Sequence, residues 1–337
     1  MNVKWKISGT AVQGLRHEKE GVPCQDKIFS LTKGGVTAIA LADGAGSAKL
    51  PHYGAESAVR AVCEELCGKF GEFLNAGSSD EVRRAVLGRV LSELEALARE
   101  KGCSVHDLGS TLLAAADDGE NLLLLHIGDG LIACCREGKI FAASLPDNGE
   151  FANETVFVTS RDAFQRMRLY KGKTAGISAV ILMSDGADGS FYSRADGKFA
   201  ELLDEIKQRC VMCSHEDSSA DIQELFVSEV RRKTNDDCSM ILMCRPDEYF
   251  RGYRDLGEAE RYDFLGISSP KGKADREKIF RIFDGREYVS RRELVKRACE
   301  LGLKKNRVQG VLRELEQEGF IVKVQYFPRR YKLKFCY

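Results

Sequence analysis

The stretch Val36–Lys49, VTAIALADGAGSAK, runs seven apolar or small residues into a carboxylate and then into a glycine-rich turn. An apolar run of that length, closed by Asp-Gly, reads as a buried strand that ends at Asp43. A solvated turn accounts for one such aspartate, because Asp and Gly are common turn residues. The chain repeats the design, however. LLLLHIGDG sets Asp129 and AVILMSDG sets Asp185 just after an apolar run, and NDDCSMILMC sets Asp236 just before one. Four carboxylates at the ends of buried-type strands are harder to dismiss as turns than any one of them.

The surrounding 337 residues bound the possibilities. A chain of that length buries a substantial core and is expected to form two domains. At 43% apolar and 30% charged residues it has the profile of a globular protein rather than a disordered one. The opening MNVKWKISGTAV carries no apolar segment followed by a small-residue cleavage site, and no apolar run approaches the length of a membrane span. A cytoplasmic location without membrane contact is therefore expected, with the twelve cysteines as reduced thiols. Cys210 and Cys213 with His215 lack a second ligand pair at zinc spacing, so they read as small buried hydrophobes, as do Cys63/Cys67 and Cys134/Cys135.

The net charge of zero hides an asymmetry. Residues 268–337 hold 19 of the 51 Lys and Arg but only 9 of the 51 Asp and Glu, leaving an acidic body with a basic appendage. Ahead of that appendage, two long amphipathic helices follow the opening motif. The first runs from Tyr53. The second opens on Ser78 and Glu81 in capping-box spacing and lines up Val86, Leu87, Val90, Leu91, Leu94 and Leu97. After Cys103 the texture changes to short strands, STLLAAAD, NLLLLHIG, LIACC, KIFAASL, TVFVTS, AVILMS and SMILMC, with helices expected around Lys198–Arg209 and Ala220–Arg232. Strands grouped beside helices, without regular alternation, predict an α+β layered domain over residues 1–247. A polar linker is expected over 248–273. Residues 274–337 then show three helices and a hairpin, the outline of a winged helix. In its third helix Val308, Val311, Leu312 and Leu315 share one face, and the helix stops at Gly319.

Carboxylate oxygens gathered around one cleft suit hard divalent cations such as Mg²⁺ or Mn²⁺. Two ions close together can activate a water toward phosphorus. Here the sequence resembles the bacterial branch of the protein phosphatase 2C family over roughly residues 8–245. The motifs GLRHEKEGVPCQD, LADGAG, GSTLLAA, IGDG, GEFANET, MSDGAD and NDDCSM occur in the family's order. The resemblance implies hydrolysis of phosphoserine and phosphothreonine on proteins with two Mn²⁺ or Mg²⁺ ions. The implied fold is a four-layer α-β-β-α sandwich of two antiparallel sheets flanked by helices. Asp43 would bridge both ions with the Gly44 carbonyl on one of them. Asp26 would complete one ion's shell, and Asp185 and Asp236 would hold the other. Asp129 would help bind a loosely held third ion.

Three positions depart from the family pattern. Ala45 stands where many members carry a histidine proposed as general acid. Arg16 is nearest to the place of the phosphate-binding arginine, with His17 almost as well placed. Asp188 falls one position closer to SDG than the usual acid and is not assigned to a metal. Other features have plainer readings: His126 as a satisfied core histidine, Ser110–Thr111 as the start of a strand, and Asn153 as a cleft or turn residue. DGAGSAK fits neither the Walker loop nor the dinucleotide fingerprint, since Lys49 is followed by Leu50 and Pro51. The alternative from another class is a DNA-binding regulator with a sensory front domain. It rests on the basic tail, where Lys304, Lys305, Arg307, Arg329 and Arg330 are the candidate contacts to DNA or to an acidic protein surface.

Overall fold

The computed structural model describes residues 5–146, 155–246, 253–264, 272–284, 286, 288–326, 329–333 and 335. In chain order the first part comprises β1 (Lys6–Val12), α1 (Leu15–Glu20), β2 (Lys27–Lys33), β3 (Val36–Ala42), α2 (Pro51–Asn75) and α3 (Ser79–Lys101). It continues with β4 (Leu112–Asp117), β5 (Asn121–Ile127), β6 (Leu131–Arg136), β7 (Lys139–Ser144), α4 (Ala163–Arg166) and β8 (Arg168–Lys173). Then come β9 (Ile177–Met183), α5 (Asp185–Phe191), the two-residue strands β10 (Tyr192–Ser193) and β11 (Lys198–Phe199), α6 (Leu202–Met212), α7 (His215–Ser228) and β12 (Cys238–Cys244).

Two five-stranded antiparallel sheets carry this part, in the orders β2-β3-β4-β5-β8 and β1-β12-β9-β6-β7. The alternation along β3 shows how they stack. Ile39 and Leu41 join Leu113, Val180, Leu182, Ile241 and Met243 in the core between the sheets. Ala38, Ala40 and Ala42 instead meet Val59, Val62 and Leu66 of α2. Large side chains fill the gap between the sheets, and alanines let a helix lie close against the outer face. On the far side, α6 and α7 bond to the other sheet. The Lys6 Nζ donates to the Val211 carbonyl at 2.6 Å, and the Ser8 and Ser218 hydroxyls lie 2.5 Å apart. The result is the expected layering of helices, sheet, sheet and helices.

Several local expectations change. TVFVTS forms no strand: Val156 and Val158 are buried in the core under α2 and α3, and Val158 N–H makes a single bond to the Ser110 carbonyl. The edge strand of that sheet is β8, whose sequence RLYKGK is mostly exposed and so lacks an apolar signal. Residues 198–199 pair with β10 instead of opening a helix, and α7 starts at His215. At α3 the Ser78 hydroxyl accepts from Glu81 N–H at 3.3 Å, but the Glu81 carboxylate turns to Gly77 N–H, so only half of the capping box closes. His126 is a core histidine as expected, with Nδ1 2.8 Å from the Ser144 hydroxyl and Nε2 3.0 Å from the Gly128 carbonyl. Burial, with the Arg168 guanidinium beside it, pushes its pKa down to about 3.

The chain divides into two compact units, Met1–Val211 with Ser218–Tyr249, and Met212–Asp217 with Phe250–Tyr337. The second contains α8 (Glu258–Phe264), α9 (Lys273–Arg281), β13 (Val289–Ser290), α10 (Arg291–Glu300), α11 (Lys305–Gln317), β14 (Ile321–Tyr326) and β15 (Arg329–Leu333). Its strands form one antiparallel sheet in the order β13-β15-β14. The stretch 248–273 is not a plain linker. It carries a 3₁₀ turn at Tyr253–Asp255 and α8, and Tyr253 is buried edge-on to Phe280 with ring centroids 5.6 Å apart. Val308, Val311, Leu312 and Leu315 of α11 are all buried in the same core, and Gly319 turns with φ of 78°. Among the described residues, no helix is long and apolar enough to cross a membrane.

Candidate active site

Strand ends of both sheets open onto one cavity of about 150 Å³. Asp43, Gly44, Asp129, Asp185 and Asp236 line it, together with Arg16, His17, Gln25, Thr111, Thr155 and Phe157. Each acid arrives by a local device. Asp43 follows β3, and its backbone is pinned on both sides by Thr111. The Asp43 N–H donates to Thr111 Oγ1 at 2.9 Å, and the Asp43 carbonyl accepts from Thr111 N–H at 2.8 Å. Asp129 occupies the tight turn between β5 and β6, where its carboxylate accepts from the Thr155 hydroxyl. Asp185 is the first residue of α5, where Ser184 N–H donates to the Ser239 carbonyl at 3.1 Å and Ser239 N–H to the Ser184 hydroxyl at 2.9 Å. These bonds tie the end of β9 to β12.

Two glycines are dictated by close approach. A Cβ on Gly44 would lie 2.8 Å from Pro51 Cβ and 2.9 Å from its carbonyl carbon, where α2 begins against the turn. A Cβ on Gly186 would lie 2.0 Å from the Asp237 carbonyl oxygen, a separation no side chain tolerates.

The two acids of NDD divide their work. Asp236 is exposed to the cavity. Asp237 is buried, and its carboxylate accepts from Gly14 N–H and Gln25 N–H, both at 2.6 Å. Asp237 thereby holds the two ends of the segment that carries α1. His17 is buried with Nδ1 3.0 Å from Asp237 Oδ1, though not in hydrogen-bonding alignment. Ligand atoms of His17, Asp236 and Asp237 fall within 4.8 Å of one another, but Asp237 is already engaged by two backbone donors. Arg16 is different: its side chain is 63% exposed at the cavity rim and only 3.7 Å from Glu20 as a loose ion pair.

Asp26 does not line the cavity. It is buried, and neither carboxylate oxygen has a partner in hydrogen-bonding geometry, although the Ser239 and Ser184 hydroxyls and Asp43 face it. Burial, with Asp237 adding repulsion, pushes its pKa up to about 7. Asp185 is pushed up to about 6 by burial and then by Asp129 and Asp236. Asp43 rises well above the ordinary carboxylate range through burial and the charges of Asp26, Asp185 and Asp236. Such crowded acids with orphaned oxygens fit a cation: the donors are all hard oxygens, and positive charge would relieve their mutual repulsion.

The other singled-out positions sort as follows. Ala45 is buried and donates its N–H to the Gly109 carbonyl at 2.9 Å, offering no proton-transferring group. Asp188, buried on α5, accepts from the Arg194 guanidinium at 2.8 Å. Asn153 lies outside the described residues. Thr111, Thr155 and Asp237 support the site without standing out in the sequence as its members. The doubled acid of NDD is the available signal for Asp237, whereas a threonine opening a strand gives none. Thr111→Val keeps the shape but leaves the Asp43 N–H without its acceptor. We expect a stability loss of about 1–3 kcal/mol and a fall in turnover of roughly tenfold, read by thermal melting and steady-state kinetics. An unchanged melting curve would show that Thr111 does not hold this turn.

Comparison with known proteins places this geometry in a family. The model of protein phosphatase 2C matches residues 13–226, more than half of the chain. A curated relative, serine/threonine-protein phosphatase 3 of Escherichia coli K12, is 27% identical over 191 residues, covering 55% of this chain and 74% of that protein. The structure of a C. elegans sex determining protein superposes with a TM-score of 0.54 at 14% identity, over 72% of this chain and 65% of that one. The serine/threonine phosphatase Stp1 from Staphylococcus aureus gives a TM-score of 0.47 at 16% identity, over 72% of this chain and 96% of that one. At 14% identity the C. elegans structure speaks to fold alone, and it is the family model's span that decides: the chain belongs to the protein phosphatase 2C family.

Proposed function

We propose that the protein hydrolyses phosphoserine and phosphothreonine esters on proteins, using two Mn²⁺ or Mg²⁺ ions held by Asp26, Asp43, Gly44, Asp185 and Asp236. The observation that carries this reading is the meeting of Asp43, Asp185 and Asp236 in one cavity, with the unpartnered Asp26 carboxylate beside Asp43. Divalent ions held there would supply Lewis acidity, lowering the pKa of water and offsetting charge on the phosphoryl group. The chain's own part is to place that acidity. Thr111 holds the Asp43 backbone, and the Ser184–Ser239 bonds hold the start of α5. Arg16, weakly engaged and largely exposed at the rim, serves to bind the substrate phosphate. With Ala45 in place of a side-chain acid, the leaving alkoxide takes its proton from water or from another group than residue 45. Asp129, which lines the same cavity, would help to hold a third, more loosely bound ion. Turnover of p-nitrophenyl phosphate and of a phosphothreonine peptide should rise together as Mn²⁺ or Mg²⁺ is titrated in. Hydrolysis that survives thorough chelation would refute the two-metal reading.

We further infer that the second unit is a winged helix that targets the phosphatase. Its order of helix, strand, two helices and hairpin, with the sheet β13-β15-β14, supports that reading. Lys304, Lys305 and Arg330 are exposed and suit an anionic partner. Arg307 does not, since it is paired with Asp275 at 2.8 Å and Glu314 at 3.0 Å, and the Arg329 side chain lies outside the described residues. The glutamates of α11 favour an acidic protein surface over duplex DNA; salt-sensitive retention of duplex DNA would reverse that choice. Every residue lining the cavity lies in the first unit. Truncation after residue 249, which removes Tyr253 and all of the core around it except Met212 and Cys213, should therefore leave hydrolysis of p-nitrophenyl phosphate within a few-fold of the full chain. A collapse in turnover with the truncated protein still folded would contradict the targeting role.

A further inference from the structure

Several thiols of the first unit face backbone carbonyls, such as Cys67 toward Leu31 and Val36 and Cys210 toward Lys6. Cys135 differs. It is fully buried on β6, and its Sγ receives the Nζ of Lys207 from α6 at 3.3 Å. Lys207 is itself only 6% exposed. Burial alone would lower its pKa, but Cys135 and Asp204 beside the ammonium hold it above the ordinary lysine value, so Asp204 is the group to which the proton must pass before the amine can react. Asp204, one turn earlier on α6 and half-exposed, lies 3.1 Å from Nζ and gives the amine a route for its proton to solvent. Amine and thiol are thus held together, away from bulk water, with a carboxylate at the solvent side.

We propose that Lys207 and Cys135 form an oxidation-dependent crosslink in which a single oxygen atom joins Nζ to Sγ. The oxidant is dioxygen. The S–H bond and one N–H bond of the neutral amine break, S–O and O–N bonds form, and the second oxygen leaves as water with those two hydrogens. Sulfur and nitrogen each give up two electrons, which together reduce one dioxygen. A separation of 3.3 Å is nearer the span of an oxygen-bridged unit than that of a direct N–S bond. The crosslink ties α6 to the sheet beneath it and closes a long loop, so the oxidised chain should melt at higher temperature than the reduced one.

Intact full-length protein, aerated and then alkylated, tests this by mass spectrometry. The expected product is a linked peptide pair containing Cys135 and Lys207 that has gained one oxygen and lost two hydrogens. Trypsin should fail to cut after Lys207, and dithiothreitol should restore both free residues and return the melting point to the reduced value. Lys207→Arg, which keeps the charge but not the reactive amine, should abolish the product and the melting shift. Recovery of Cys135 as an alkylated thiol, a sulfinic acid or a disulfide, with Lys207 cut normally, would overturn the proposal. The wild-type measurement alone decides the matter if the variant fails to fold.

Discussion

Asp43→Asn should lower turnover on a phosphothreonine peptide roughly a thousandfold or more at ordinary metal concentrations, the scale of several kcal/mol of lost transition-state stabilisation. The carboxamide has the shape of the carboxylate, and the bonds that fix this turn run from Thr111 to the Asp43 backbone, so the fold should survive. What disappears is the charge that faces Asp26, Asp185 and Asp236. The same change should therefore raise the melting temperature of the metal-free protein, because it removes repulsion from a buried cluster. Loss of activity with a gain in metal-free stability separates a site acid from a merely structural one. Near-normal turnover would take Asp43 out of the proposed metal set, and a fall in metal-free stability would make its role structural.

The second large effect is the response of the metal-free protein to pH. Asp26 moves from the ordinary 3.8 to about 7, and Asp185 to about 6. Both move upward, so the folded state binds protons more tightly than the unfolded one. Their stabilising contribution is complete below about pH 4 and is lost as pH rises through 6 and 7. A tenfold difference in proton affinity between the two states corresponds to about 1.4 kcal/mol, which makes a combined loss of a few kcal/mol the expected scale. Chelated protein should melt several degrees lower at pH 8 than at pH 5, and activity should vanish with the ions. Mn²⁺ or Mg²⁺ should restore the loss at pH 8 and do much less at pH 5, where protons already neutralise the acids. Melting that ignores both pH and metal over this window would show that the cluster is not a cation site.

Much of the architecture was readable because its causes are local. The apolar runs of β3, β5, β9 and β12 announce strands covered on both faces, and the spacing of Val308, Val311, Leu312 and Leu315 announces a helix face. Where burial is partial the signal fades. β8 is an exposed edge strand with a polar sequence, and Val156 and Val158 are buried without belonging to a sheet. Residues 253–264 read as a linker because one aromatic, Tyr253, supplies most of what they bury.

That Asp43, Asp129, Asp185 and Asp236 stand at the ends of strands is legible in the local sequence, since strand ends follow from where apolar runs stop. The ordered motifs also pointed to the family. That these four carboxylates share one cavity follows from packing, because their distance apart depends on two sheets stacking through Ile39, Leu41, Leu182 and Ile241. Packing also separates Asp236 from Asp237, neighbours in one local sequence. Asp237 is claimed by the N–H groups of Gly14 and Gln25, more than two hundred residues away along the chain, and Asp236 is left to face the cavity. Long-range donors of that kind leave no periodic trace in a sequence, since the bond is made by packing between segments that carry no information about each other's position.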